Sequence, residues 1–323
     1  MRRLSQADAK RTSERGAVSV IVAIMLVALL GCAAIAVDVS MMYAERTQLR
    51  NGADAAALAV AQKCAKSTAD ADCVSTSSLA VGLANRNAND GLSNLKSVAI
   101  DTTARTVAVT AGSQEAGKTP NQVSLFFARA LGISSAEVNA SASAQWGTPS
   151  KGPAILPLAI AYCKLDIPAG GTTGNVQVLE QSVNGCGGLP GGFGWITTSG
   201  TKCSVTMTAG QSSNSGIWFA SDPGASAPTI CTAADFNQMN DQTVLLPLYD
   251  VATGTGSSGK YYVKGFAAFH VTGYHFADIN WSTGGNVQNK TIRGYFVKFV
   301  SLAQAFELGN VPDYGASIVR LTP

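Results

Sequence analysis

The chain has 323 residues, room for one large domain or two smaller ones, and only 13% of them are charged, roughly half the usual ~25%. That shortage argues against a long disordered tail, a coiled coil or a cytosolic protein with a charged surface, and a net charge of +3 supplies no basic face for nucleic acid. The excess sits in residues 1–15, where Arg2, Arg3, Lys10, Arg11 and Arg15 face only Asp8 and Glu14; the rest of the chain is neutral.

Next comes an uncharged run, Gly16 to Val37. As an α-helix it spans ~33 Å at ~1.5 Å per residue, enough for a bilayer core of ~30 Å. The basic flank lies on its N-terminal side, so the positive-inside rule predicts a single-pass anchor: residues 1–15 cytoplasmic, 16–37 transmembrane and 38–323 extracytoplasmic, in the cell membrane. Three alternatives compete. A cleaved signal peptide would use Ala34-Ile35-Ala36, but its apolar region is usually ~7–15 residues. A lipoprotein would use Leu29-Leu30-Gly31-Cys32, yet the apolar run continues past Cys32. A buried core helix fits poorly with the basic flank and the length.

The helical pattern continues from Asp38 to Lys66 without proline. Leu49, Ala53, Ala56 or Ala57, and Val60 recur at steps of three and four, a narrow stripe of mostly small residues suited to close packing. Asn51-Gly52 is expected to be the point where a bend costs least.

Three strings then stand out in order: Ser13-Glu-Arg-Gly-Ala-Val before the apolar run, Ala36-Val-Asp-Val-Ser-Met-Met-Tyr43 at its exit, and Gln48-Leu-Arg-Asn-Gly-Ala-Asp-Ala-Ala-Ala-Leu-Ala59. Together they resemble the N-terminal region of TadG-like proteins of the Tad/Flp pilus-assembly system, over about residues 13–62. Val107-Ala-Val109, Ser124-Leu-Phe-Phe-Ala-Arg-Ala-Leu-Gly132 and Val138-x-Ala-x-Ala-x-Ala144 continue the likeness to about residue 146. The resemblance implies a bitopic envelope protein of pilus biogenesis and not a catalyst. Two departures narrow it. A cleaved prepilin carries Glu five residues into its mature helix, where Gly16 would place Ile21. The Asp-x-Ser-x-Ser metal run of some larger relatives has only Asp38-Val-Ser40-Met-Met42 as its nearest counterpart.

Residues 38–146 are expected to hold the juxtamembrane helix and a small α+β unit: helix Ser78–Asn85, strands Leu95–Ile100 and Arg105–Ala111, helix Asn121–Leu131 after Pro120 and capped by Gly132, and strand Ala136–Ala144 with alternating small apolar residues. Gly147 to Pro153 reads as a linker. Residues 154–323 read as an all-β module of sandwich or barrel type, with strands at Ala154–Tyr162, Val176–Glu180, Gly194–Thr198, Val244–Val251, Tyr261–Tyr274 and Thr291–Ala305, a Gly-rich loop at 185–194 and a turn at 254–259.

Cys32 falls in the apolar run, which leaves Cys64, Cys73, Cys163, Cys186, Cys203 and Cys231 outside it. An even count in an exported region predicts disulfides; Cys64 with Cys73 closes a loop after the long helix, and the other four pair within the β-rich module. Zinc is disfavoured because no C-x-x-C occurs.

Other motifs are weaker. Gly112-Ser-Gln-Glu-Ala-Gly-Lys-Thr119 fits G-x-x-x-x-G-K-[ST], but the unit around it is too small for a P-loop sheet, so no nucleotide is expected. The nearest Walker-B-like string, Val244 to Asp250, contains Pro247. His270 and His275 lie five apart on an expected strand and so face opposite sides. Ser199-x-x-Lys202 and Ser257-x-x-Lys260 lack companion motifs, and Gly224-x-Ser226-x-Pro228 fails as a nucleophile elbow. No catalytic residue, cofactor or metal is expected. The expected partners are the bilayer and other pilus-assembly or envelope proteins. The rival readings are an exported adhesin or carbohydrate- or cell-wall-binding β module with no pilus role, and an extracytoplasmic enzyme with a polar pocket.

Overall fold

A computed structural model describes residues 7–166, 174–181, 191–198, 200–210, 217–224, 226–301 and 305–322. Helix α1, Ala7–Lys66, is followed by α2, Ser78–Asn87, and then by a chain that is mostly strand. Two compact units divide it: Met1–Ala56 with Ser78–Val98 and Ala108–Ala142, and Ala57–Ser77 with Ala99–Val107 and Ser143–Pro323.

Helix α1, whose residues to Ala56 belong to the first unit, carries the exposed apolar run and then one buried stripe. Val18, Ile24, Leu26, Leu29 and Ile35 all stand open, whereas Leu49, Ala53, Ala56, Ala57 and Val60 are at most 2% exposed. The stripe is the one expected from spacing. The helix runs through Gly52 unbroken. Helix α2 crosses there so closely that a Cβ on Gly52 would lie 3.2 Å from both Cα and O of Ala84. Absence of a side chain sets the approach, and Gln48 Oε1 accepts the Asn89 N–H at 2.7 Å beside it.

Strands β1, Ser93–Asp101, and β2, Thr106–Ser113, are sheet neighbours. The expected helix Asn121–Leu131 is not formed. Residues Gln122–Ser124 are strand β3, paired antiparallel with β4, Ser135–Glu137, and only Ala128–Leu131 coils, as a short 3-10 turn. Asn121 adopts φ +69°, which turns the chain out of a helical path directly after Pro120. Gly132, at φ +85°, caps the 3-10 turn as a left-handed residue.

Strand β5, Asn139–Ala154, enters the second unit, and it contains the stretch 147–153 expected to be a linker. Successive partners hold that stretch extended despite Pro149 and Pro153. It pairs with β9, Val205–Thr208, with β16, Glu307–Gly309, across a register shift, and with β17, Ala316–Thr322. Strand β15, Phe299–Ser301, adds to β17 in parallel.

The larger sheet of the second unit uses β6, Leu158–Ala161; β7, Gln177–Glu180; β8, Phe193–Ile196; β10, Trp218–Asp222; β11, Thr243–Thr253; β12, Lys260–Phe276; β13, Ile279–Ser282; and β14, Thr291–Phe296. Its pairings β12–β10, β10–β8, β8–β6, β6–β11 and β11–β12 return to their start, so five strands close a ring of barrel type. Every residue of β6 and β8 is buried, because the sheet is covered on both faces. One face gathers Trp195, Phe269, Tyr274 and Phe276 with Phe236 of helix α3, Ala233–Asn237; the other gathers Tyr249, Tyr261, Phe266 and Phe306. Thr232 and Asp235 form a capping box at the start of α3, which fixes Phe236 5.4 Å from the Phe276 ring.

The Gly52 contact generates a paired test in the detergent-solubilised full chain. Gly52→Leu drives a side chain into the Ala84 backbone and should lower stability by ~1–3 kcal/mol or more in chemical denaturation. Gly82→Ala, where a Cβ meets nothing within 4 Å on helix α2, should raise it by ~0.5–1 kcal/mol.

Candidate functional site

The last residues of the apolar run lead straight into Asp38, the first charge since Arg15 and a residue only 4% exposed. Its carboxylate is taken up by backbone from the β3–β4 hairpin. Asp38 Oδ1 accepts the Phe126 N–H at 2.9 Å and the Phe127 N–H at 3.2 Å; Oδ2 accepts Phe127 at 3.1 Å and Ala128 at 2.6 Å. The first N–H groups of a helical turn have no partner within it. Asp38 supplies that cap from 90 residues away in sequence, where Phe127, the residue in the N-cap position, offers none.

A second carboxylate fixes the base of the same hairpin. Glu115 Oε1 accepts the Ser124 N–H at 2.7 Å, and Oε2 accepts the Ser124 hydroxyl at 2.6 Å. The hydroxyl bond, with help from the Ser124 amide and Lys118, outweighs burial and holds the Glu115 carboxyl below its ordinary value. The hairpin is thus clamped at Ser124 by Glu115 and at its tip by Asp38. That tip, 125–134, is closed by Leu125 N–H to Ser134 O at 3.0 Å and leaves Phe126, Phe127, Leu131 and Ile133 exposed. Beside it a shallow cavity of about 320 Å³ is lined by Val39, Met42, Tyr43, Arg46, Glu137, Val138 and Asn139.

The residues singled out by sequence are dispersed. Cys64 and Cys73 form a disulfide, as do Cys203 and Cys231; Cys163 is disulfide-bonded, Cys186 lies outside the described residues, and Cys32 is a free, exposed thiol. Lys63 lies 3.8 Å from Asp70 and 3.6 Å from Asp72 across the Cys64–Cys73 loop. The Gly112–Thr119 string connects β2 to β3 and does not open a helix, so it lacks the helix N-terminus on which a P-loop seats phosphate. Gly112 is there for another reason: a Cβ would meet the Asn121 side chain at 2.0 Å.

His270 contacts Thr243 Oγ1 at 3.2 Å and Asp241 Oδ1 at 3.1 Å, while His275 contacts the Val287 carbonyl at 2.9 Å. Asp250, the end of the Walker-B-like string, pairs with Lys264 at 2.8 Å. Ser257 lies in a 3-10 turn, Gly256–Ser258, and Ser199 lies outside the described residues. Among the described residues no cluster of three His, Cys, Asp or Glu side chains is arranged to hold a metal ion.

The fold therefore defines a chain with one N-terminal helix long and apolar enough to cross a membrane, followed by a disulfide-bonded, mostly β region. Residues 16–63 match the family model described as "Putative Flp pilus-assembly TadE/G-like". The N-terminal segment is thus of Tad type, and the match takes in the apolar run, Asp38 and the buried stripe. No curated protein and no solved structure matches the chain.

Both clamps can be read by amide exchange. Asp38→Ala should abolish protection at Phe126, Phe127 and Ala128 and leave Ser124 protected. For Glu115, a carboxyl depressed on folding, the stabilisation is complete above the ordinary value of 4.5 and is lost as pH falls through the lower folded value. Protection at Ser124 should fall in that acid window, and Glu115→Gln should remove the pH dependence.

Proposed function

We propose that the protein is a non-enzymatic, single-pass envelope protein of Flp-type pilus assembly or anchoring. The basic segment 1–15 stays in the cytoplasm, 16–37 crosses the membrane, and 38–323 lies outside it. The carrying observation is the coincidence of the Tad-type match with a helix whose apolar residues are open all round until Asp38 and buried on one stripe afterwards. An apolar surface of that extent needs lipid or a partner to cover it. The disulfides at Cys64–Cys73 and Cys203–Cys231 support an oxidising compartment for the β-rich region. The doubly covered sheet supports a role as a rigid binding module held at the membrane, and no catalytic constellation is assigned.

A second reading, an exported module that binds cell-wall carbohydrate, has one observation in its favour. A cavity of about 440 Å³ is lined by Trp281, His275, Asn280, Asn286, Gln288 and Asn289, a mixture of ring and amide suited to a polar, ring-shaped ligand.

Deletion of the gene should abolish surface pili in electron micrographs of the host while membrane integrity is unchanged; normal pili would sink the pilus role. For topology, an impermeant maleimide applied to intact cells should label Thr103→Cys and spare Ser13→Cys, both in a Cys32→Ser background. The carbohydrate reading predicts that soluble peptidoglycan fragments perturb Trp281 fluorescence.

A further inference from the structure

We infer that the tip of the β3–β4 hairpin is a second membrane contact: Phe126, Phe127, Leu131 and Ile133 enter the interfacial layer of the leaflet from which α1 emerges. The inference rests on 16–37 being a membrane span, and it concerns what the same leaflet does with a segment nearly ninety residues further along the chain.

Position comes first. The Phe126, Phe127 and Ala128 amides lie within 2.6–3.2 Å of the Asp38 carboxylate, and Asp38 directly follows the last apolar residue of the run. Wherever the helix leaves the hydrocarbon, these three amides are one side-chain length away. The tip cannot be elsewhere while those bonds hold.

Composition comes second. Phe126 is 74% exposed, Leu131 77%, Ile133 54% and Phe127 40%, a cluster of large apolar side chains that the folded unit leaves uncovered. Phe126 and Phe127 pack edge to face at 4.9 Å. Arg129 stands exposed among them, long enough to bring its guanidinium up to phosphate headgroups while its stem lies along acyl chains. On α1 itself Tyr43 is 75% exposed just beyond Asp38, at the depth where aromatic side chains gather on membrane proteins.

Third, the backbone is prepared for a medium poor in water, where an unpaired N–H is costly. Asp38 takes three amides. Leu125 bonds Ser134 O, Ala130 bonds Phe127 O, Gly132 bonds Arg129 O and Ile133 bonds Ala128 O, each at 3.0–3.1 Å. Seven of the ten backbone donors in 125–134 are thus paired without water. The occupant is therefore lipid, because the tip is continuous with the surface of the span; an apolar protein partner would be a different arrangement, which the test separates.

The experiment uses the full chain, unreduced, with Cys32→Ser, carrying an environment-sensitive fluorophore at one of four positions: Val27→Cys in the span, Phe126→Cys or Leu131→Cys in the tip, and Lys118→Cys in the loop of the same unit. Proteoliposomes of phosphatidylcholine and phosphatidylglycerol are prepared without spin-labelled lipid, with lipid spin-labelled near the headgroup to read 118, 126 and 131, and with lipid spin-labelled near the acyl-chain end to read 27, which lies at the middle of the span. The inference expects blue-shifted emission and quenching by the spin-labelled lipid at 126 and 131, and neither at 118. Quenching at 27 with tip labels that behave like 118 overturns it and leaves the anchor intact. Tip labels that are blue-shifted but unquenched overturn it in favour of a protein partner. No quenching at 27 removes the anchor, and this inference with it. Adding Asp38→Ala should reduce quenching at 131 and preserve it at 27; unchanged quenching at 131 would overturn the positioning role of Asp38.

Discussion

Much of the first unit depends on one buried carboxylate. Asp38 is the residue at which an uncharged helix first meets charge, and it is almost wholly covered, a position that is costly unless the charge is saturated. Three amides from the β3–β4 hairpin saturate it. The reward is mutual: a short 3-10 turn without a local cap acquires one, and a charge at the end of an apolar run acquires partners. The consequence is topological. The only contiguous elements that the sequence brings to the helix exit are those of α1 itself, yet a segment near residue 127 is bolted there as well.

Two other devices fix the same unit by subtraction. Gly52 has no side chain where α2 crosses α1, and Gly112 has none where Asn121 folds back across β2. At Gly52 a Cβ would press on the Ala84 backbone, and at Gly112 it would displace the Asn121 side chain from its bond to Asn94. The β-rich unit relies on the opposite strategy, filling space. Its closed ring of five strands has an aromatic cluster against each face, and α3 is pinned by its capping box so that Phe236 completes one of them. A chain with only 7% aromatic residues concentrates Trp195, Phe193, Phe269, Tyr274 and Phe276 in one place.

What could be read from sequence was whatever depends on period or composition. The apolar run, the stripe Leu49–Ala53–Ala56–Val60, the helix from Ser78, most β-strands and the Cys64–Cys73 pair all have local signatures. The Asn121–Leu131 segment misled because Pro120 and Gly132 are good helix boundaries, while the pairing of Val123 with Ala136 and the cap from Asp38 are invisible in a local window. Residues 147–153 misled for a similar reason: two prolines and two glycines suggest a break, but partners from three distant strands keep the backbone extended. Gly52 has the flexibility of any glycine, but it is its size that α2 uses. The candidate site was legible only in half. Asp38 is conspicuous at the end of the run, but nothing adjacent to it names Phe126, Phe127 and Ala128.

The Cys64–Cys73 bridge has a consequence for how such a chain matures. Its partners are nine residues apart, Cys64 within the last turn of α1 and Cys73 shortly past its end, whereas Cys203 and Cys231 are separated by 28 residues and lie far downstream. In the topology proposed above, with residues 38–323 exported behind the helix, the first pair would reach an oxidant while most of the β-rich region is still unmade or untranslocated. The end of α1 would therefore be stapled early by a loop that needs no other part of the fold. The second bridge would wait for its own strands, so in the proposed topology oxidation would follow the direction of export.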